Sequence, residues 1–535
     1  MPNTSQRFEG VLDRYFENLL ADEPMLATVV GLRDGEGHLG RGDDRQVQRR
    51  ERQRQATLAE LDTISPRELT PEQQLDRLAL RASLLWECED FARGRHRLEP
   101  NAPQRVLDLC LHELIRSESE PARAARNLRS VLREIPRFLD GAAAVAQSPD
   151  PLWLSVMQDT VAGAESLLDG LGTFLSRQDA MPSDAARLAG ARKAFTEYRE
   201  TVVSRKAAPA GSFALGAEAM NRRVRDQLGL DCTLGEVEAI AEGEATRIGG
   251  LLAKECARFG RGKTAGQIIA RLRGEWRPAQ PLIDLYRTET TRVAEAFRAA
   301  DAVTFPEGDE LIVRPVPDFL RSVIATAAYN QPGAFEKHQR GVFLVNDLSL
   351  TLTDPEAQLT EQRQHFGLPL TCAHEAYPGH HLQFVTANRH PRRWRRLFAH
   401  AVFYEGWTLW CEQMMTDLSI DRSPWLRVQQ LHDAFWRVHR ILVDARLQTR
   451  RYTPAQAARH LERHLGFTRA RAEAEINWYS AQPSVPMSYW LGRLENARLH
   501  RRLVEGRGWS LKRFNDWLLS FGTLPQSWLE RYGLD

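Results

Sequence analysis

The stretch Cys372-Ala373-His374-Glu375-Ala376-Tyr377-Pro378-Gly379-His380-His381-Leu382-Gln383 holds the residue types that bind a zinc ion and activate water. A histidine followed by a glutamate on a helix lets the imidazole bind Zn²⁺ while the carboxylate faces the water it will deprotonate. In the usual arrangement the second ligand lies four positions after the first histidine, but here that position is Pro378. Proline removes a helical N–H and clashes with the carbonyl four residues back, that of His374, while Gly379 tolerates unusual dihedrals. The pair predicts a bulge or kink. If the irregularity absorbs two residues, His380 takes the place of the missing ligand. His381 is the alternative: in a straight helix it shares the face of His374 but lies about 10 Å along the axis. That is awkwardly far for two bonds of ~2 Å to one ion. Glu375 is the expected general base.

A catalytic zinc site needs a third protein ligand and leaves the fourth position to water. Glu405, within Phe403-Tyr404-Glu405-Gly406-Trp407-Thr408-Leu409-Trp410-Cys411-Glu412, is the candidate. Its flanks are apolar and aromatic, so a carboxylate there is costly unless a metal or another cation pairs it. Glu412 lies seven positions on, along the same helical face, and is placed to hydrogen-bond a ligand imidazole or to serve as an alternative ligand. Tyr489 is a candidate donor to the oxyanion of a tetrahedral intermediate.

The elements that must position these residues are mostly helical. Phe8, Val11, Leu12, Tyr15, Phe16, Leu19 and Leu20 form one apolar stripe. Thr70-Pro71-Glu72-Gln73 reads as a capping box opening a second helix. Trp153 to Leu175 repeats the pattern, and Thr453-Pro454 with Gly466 brackets another helix. Near residue 305 the texture changes. Leu311–Pro315 and Gly341–Asp347 are short β-branched and aromatic runs that predict strands. Val342–Val345 is expected to offer an edge to which an extended substrate could pair. The expected fold is mostly α, a large helical scaffold over residues 1–300 and a catalytic region over 301–535 within one continuous fold. A small β-sheet lies beside the active-site helix.

Composition bounds the function. The 535 residues are 42% hydrophobic and 27% charged, which suits a globular protein with a large core. Lys+Arg 72 and Asp+Glu 70 leave a net charge of +2, against a dedicated nucleic-acid or membrane-surface protein. The run Arg389-His390-Pro391-Arg392-Arg393-Trp394-Arg395-Arg396 is therefore read as a solvated helix end, not a nucleic-acid patch. Arg440 and Asp444 are read as a helix ion pair. Six scattered cysteines without a C-x-x-C pair predict reduced thiols. Met1 to Arg7 leads directly into the first amphipathic stripe, which predicts no signal peptide and a cytoplasmic protein.

His374-Glu375, Pro378-Gly379-His380-His381 and Gln383, followed by Glu405-Gly406-Trp407, closely resemble the bacterial family known as domain of unknown function 885. That family is grouped with the glutamate zincins, beside aminopeptidase N, dipeptidyl peptidase III and thermolysin-like enzymes. The Glu405-Gly406-Trp407-x-x-Trp410-x-Glu412 stretch also looks like the segment of aminopeptidase N relatives whose first glutamate is the third zinc ligand. The resemblance runs from Asp13-Arg14-Tyr15-Phe16 to Arg440, Asp444 and Ser488-Tyr489-x-x-Gly492. It implies Zn²⁺ as cofactor and a peptide or amide substrate. Two departures stand out: Gln448 where the family has histidine, and Pro483-Ser484-Val485 where it has Pro-Gly-Gln. They leave the zinc ligands in place but open the substrate to a small-molecule amide or ester. A different class of function, a helical binding protein with a structural metal, is disfavoured by Glu375. A structural site has no use for a base and fills all four positions with protein ligands.

Overall fold

Helix starts follow the capping chemistry written in the sequence. In the computed structural model, which describes residues 3–260, 262–317 and 326–533, the first helix spans Thr4–Asp22 and buries Phe8, Val11, Leu12, Tyr15 and Phe16. Thr70 and Gln73 form the expected capping box on the helix Pro71–Ala92. The helix Pro151–Ser176 buries Trp153, Met157, Val161, Ala164, Leu168 and Leu171. The helix Pro454–Leu465 starts at a Thr453–Gln456 capping box and stops at Gly466, whose φ of 68° is left-handed. Among the described residues no helix is long and apolar enough to cross a membrane.

The chain forms two compact units. One comprises the helices up to Phe213 together with Gly333–Lys337; the other begins at Ala214 and includes nearly all that follows. The second unit contains every residue singled out above for chemistry. Its core is shared by the helices Leu234–Ala257, Ala401–Asp417, Pro424–Gln448 and Val485–His500, through Val237, Ile248, Val402, Leu409, Val438, Ile441, Met487 and Leu491. The helices Ala401–Asp417 and Val485–His500 cross where two glycines meet. A Cβ on Gly406 would lie 2.5 Å from the Gly492 carbonyl carbon, and one on Gly492 would lie 1.8 Å from the Val402 carbonyl oxygen. Only glycine permits that approach, and it brings Glu405 and Tyr489 into one neighbourhood.

The sheet has three strands: β1 (Glu310–Pro315), β2 (Ala327–Asn330) and β3 (Arg340–Val345), in the order β1-β3-β2. The two predicted strands are present, and β2 is an addition. β3 pairs in parallel with β1 and antiparallel with β2. It is therefore the central strand, and Val342–Val345 has no open edge for a substrate, contrary to the expectation from sequence. Its continuous burial from Gly341 to Val345 is what a strand flanked on both sides and covered by helix requires. Phe343 meets Tyr286 of the helix Leu282–Ala299 edge to face at 5.6 Å.

Candidate metal centre

The helix Leu368–Glu375 ends on the His-Glu pair. Cys372 and Ala373 are fully buried and seat it, with Cys372 Sγ 3.5 Å from the Thr290 hydroxyl. The expected kink is a complete interruption. Ala376 leaves helical geometry (φ −103°, ψ −94°), the Tyr377–Pro378 peptide is cis, and a new helix, His380–Ala387, starts directly after Gly379. A Cβ on Gly379 would lie 1.8 Å from the His374 carbonyl oxygen, so the returning chain passes over the end of the first helix at a distance only glycine allows. The imidazoles of His374 and His380 come to 5.0 Å between centroids, nearly perpendicular.

Glu405 reaches the same point from the helix Ala401–Asp417 and is 8% exposed. Its Oε2 is 3.7 Å from His374 Nε2 and 3.7 Å from His380 Nε2. These separations are too long for hydrogen bonds. They are near the roughly 3.4 Å between neighbouring ligand atoms on a tetrahedron of ~2.1 Å bonds. Glu405 Oε2 is buried without a hydrogen-bond partner, which is costly for a carboxylate oxygen unless a cation joins it. Among the described residues this is the only set of three or more histidine, cysteine or carboxylate side chains whose ligand atoms all lie within 4.8 Å of one another. Two imidazoles and one carboxylate are a donor set that zinc takes.

Glu412 Oε1 lies 2.8 Å from His374 Nδ1. A carboxylate only accepts, so Nδ1 carries a proton, and Nε2 is the nitrogen that faces Glu405. Burial disfavours charge on both imidazoles. On His374 the carboxylates of Glu405 and Glu412 outweigh burial and raise the ring to about 10; on His380 burial prevails and lowers it to about 4. Burial also raises Glu375 above the usual carboxylate range, with the adjacent His374 opposing it. The Tyr489 hydroxyl interacts with the Glu405 carboxylate, and the Arg440 guanidinium lies 4.5 Å from the Tyr489 ring centroid.

His381 points elsewhere. It is wholly buried, with Nδ1 3.0 Å from the Tyr329 hydroxyl and Nε2 3.3 Å from Asp309 Oδ2. Asp309 also accepts from the Tyr377 hydroxyl at 2.5 Å. His374, His380, Glu405, Glu412, Glu375 and Tyr489 are thus brought together, and His381 instead fastens the helix interruption to the sheet. Sequence reasoning missed Asp309 and Tyr329, which no spacing rule links to position 381. It also missed Phe384, stacked on His380 at 5.7 Å and readable as its i+4 neighbour.

Other expectations change. Arg440 is buried and does not pair with Asp444: it donates to Glu475 and to the Tyr479 hydroxyl, each at 3.1 Å. Asp444 accepts from the Ser484 backbone N–H at 2.9 Å. The run at 389–396 is solvated only in part: Arg389 and Arg393 are exposed, but Trp394 and Arg395 are buried and Arg395 donates to the Phe521 carbonyl. Gln448 bridges the Leu215 N–H and the Tyr479 carbonyl. Ser484 has φ 70°, a left-handed conformation that explains the glycine of the resembling family there; Asp444 and Gln227 hold it by hydrogen bonds.

The fold is shared with solved structures. One, described as a candidate lipoprotein of unknown function from Shewanella oneidensis, superposes with a TM-score of 0.79 at 19% identity, over 100% of both chains. Another, a candidate lipoprotein from Colwellia psychrerythraea, gives 0.76 at 15% identity over 99% of each. Lipoproteins are held at a membrane outside the cytoplasm, so these likenesses overturn the expectation of a cytoplasmic protein. No curated protein matches the chain. A family model does, over residues 24–532, and the chain belongs to the family described as "Bacterial protein of unknown function (DUF885)".

Proposed function

We propose that this chain is a zinc-dependent hydrolase that cleaves a peptide or amide bond. The reading is carried by one observation: two imidazole Nε2 atoms face a single buried Glu405 oxygen at 3.7 Å, with no hydrogen bond between them. His374, His380 and Glu405 would hold the ion. When bound, zinc supplies Lewis acidity, lowering the pKa of water and polarising a carbonyl.

The chain's own groups do the rest. Glu412 fixes the His374 tautomer. Glu375 takes the proton from the attacking water and returns it to the leaving amine. Its burial and raised pKa suit both transfers, because a carboxyl group that holds its proton more tightly is a stronger base and still a competent acid. Tyr489 donates its hydroxyl to the oxyanion that develops on the scissile carbonyl. The same machinery serves a small-molecule amide or ester, since nothing in it requires a peptide chain.

Metal analysis of the purified protein and a digest of a peptide library test this reading together. About one zinc per chain and cleavage of an amide are expected. Glu375→Gln should keep the zinc and abolish hydrolysis, because the amide cannot accept the proton. Near-normal turnover by that variant would refute the mechanism whatever the metal content.

A further inference from the structure

A second cavity in the same unit has a chemistry unlike that of the metal centre. It is an open pocket of about 450 Å³, lined by His439 and Arg446, by Tyr452 and Gln456, and by Arg459, His460, Arg463 and His464, with Glu242 at its side. His439 and Arg446 come from the helix Pro424–Gln448 and the remaining basic groups from Pro454–Leu465.

Its hydrogen-bonding directions follow from a chain of contacts. Arg446 can only donate, and its Nη1 donates to the Tyr452 oxygen at 3.1 Å. The Tyr452 hydroxyl therefore directs its own proton to His460 Nδ1, 3.3 Å away. His460 then carries its hydrogen on Nε2 and donates it to His439 Nδ1 at 2.9 Å. Burial and the neighbouring cations keep His439 near 3 and His460 near 4, so both rings are neutral at ordinary pH. His439 is thus left with a hydrogen on Nε2, a nitrogen that is buried and has no hydrogen-bond partner. The Gln456 side-chain oxygen accepts from the Thr453 N–H, leaving its NH₂ to donate. The Glu242 carboxylate is engaged by Arg446 Nη2 at 2.8 Å. Arg446 pairs with Glu238 as well as Glu242, so Arg459 and Arg463 carry the cationic donors left for a ligand. Apart from Glu242, the free capacity of the walls is to donate.

We propose that this cavity binds a phosphoryl-bearing anion. Oxygens that only accept match the donors left free on these walls, and Arg459 and Arg463, one turn apart on the helix, offer two guanidinium forks of the kind that grip phosphate. A cation is disfavoured: the three imidazoles do not form a convergent ligand set, and the arginines would repel it. The chemistry is shared by a soluble phosphate ester and a phospholipid headgroup.

Calorimetric titration of the full chain with inorganic pyrophosphate, beside sedimentation with phosphatidylglycerol vesicles, tests the site. Saturable binding in at least one arm is expected, and the arm in which it occurs identifies the source. Arg459→Gln/Arg463→Gln should weaken that binding at least about tenfold while leaving zinc content unchanged. Binding should persist in Glu405→Ala, which dismantles the metal centre. The proposal is overturned if the wild-type chain binds in neither arm, if the double variant binds as well as wild type, or if Glu405→Ala abolishes binding.

Discussion

Glu412 Oε1 accepts the hydrogen bond of His374 Nδ1–H at 2.8 Å, and that contact decides which nitrogen of His374 faces Glu405. Both glutamates are buried on one helix, two turns apart. One is aimed at the convergence point and the other at the back of an imidazole already there. Glu412→Ala would leave a buried donor without an acceptor and free the ring to rotate. Zinc affinity is expected to fall about 10- to 100-fold, with Glu412→Gln closer to wild type because its carbonyl still accepts. Chelator competition reads this directly, and unchanged affinity in Glu412→Ala would remove Glu412 from the site.

Tyr489 should act on turnover and not on binding. Its hydroxyl is delivered beside Glu405 by the glycine-to-glycine crossing of the two helices. Tyr489→Phe keeps the ring under Arg440 and removes only the donor. We expect kcat to fall about 10²- to 10³-fold, with KM and zinc content near wild type. A raised KM at unchanged kcat would mean that the hydroxyl binds the ground state instead.

Acid should destabilise the fold through buried neutral histidines, of which His400 is the cleanest case. Its Nδ1 donates to the Gln227 carbonyl at 3.3 Å and its ring packs edge-on against Trp528. Burial lowers it to about 4. The unfolded chain takes up the proton at the ordinary value of about 6.5, so below that pH the unfolded state binds more protons than the folded one. Stability is therefore full above pH ~6.5 and is lost progressively toward pH ~4. Between pH 7 and 5 this one group accounts for about 2 kcal/mol. Urea denaturation at the two pH values should show a smaller drop for His400→Gln than for wild type; an equal drop would show that the ring does not carry it.

Much of this was legible because local chemistry dictates local structure. Capping boxes, apolar stripes and β-branched runs marked helices and strands wherever a segment's own residues decide its conformation. The candidate metal set was legible for a similar reason, since His374, His380 and Glu405 occupy spacings that zinc chemistry restricts. What failed was long-range. The i,i+4 rule paired Arg440 with Asp444, but that rule describes an isolated helix. Inside a packed one, Glu475 and Tyr479 compete for the guanidinium and the Ser484 N–H for the carboxylate. Arg395 looked solvated because the run around it is charged, yet the Phe521 carbonyl takes it inside. β3 was read as an edge because β2 is only four residues long and its sequence, Ala-Ala-Tyr-Asn, gives no strand signal.

The interruption at Pro378-Gly379 yields the sharpest prediction, since it separates two adjacent histidines by role. His380 faces Glu405, while both ring nitrogens of His381 are engaged by Tyr329 and Asp309. His380→Ala should abolish zinc binding. His381→Ala should retain the metal but loosen the tie between the helix break and the sheet, costing on the order of 2–4 kcal/mol of stability through the cavity and the lost contacts to Tyr329 and Asp309. Gly379→Ala should behave like His380→Ala, because its methyl group meets the His374 carbonyl at 1.8 Å and the two helices cannot then close on each other. Zinc content and thermal unfolding of the three variants decide it. Loss of the metal in His381→Ala, with retention in His380→Ala, would move the ligand by one residue. Retention in Gly379→Ala would mean that the break tolerates a side chain and that the close passage is not what sets the ligand geometry.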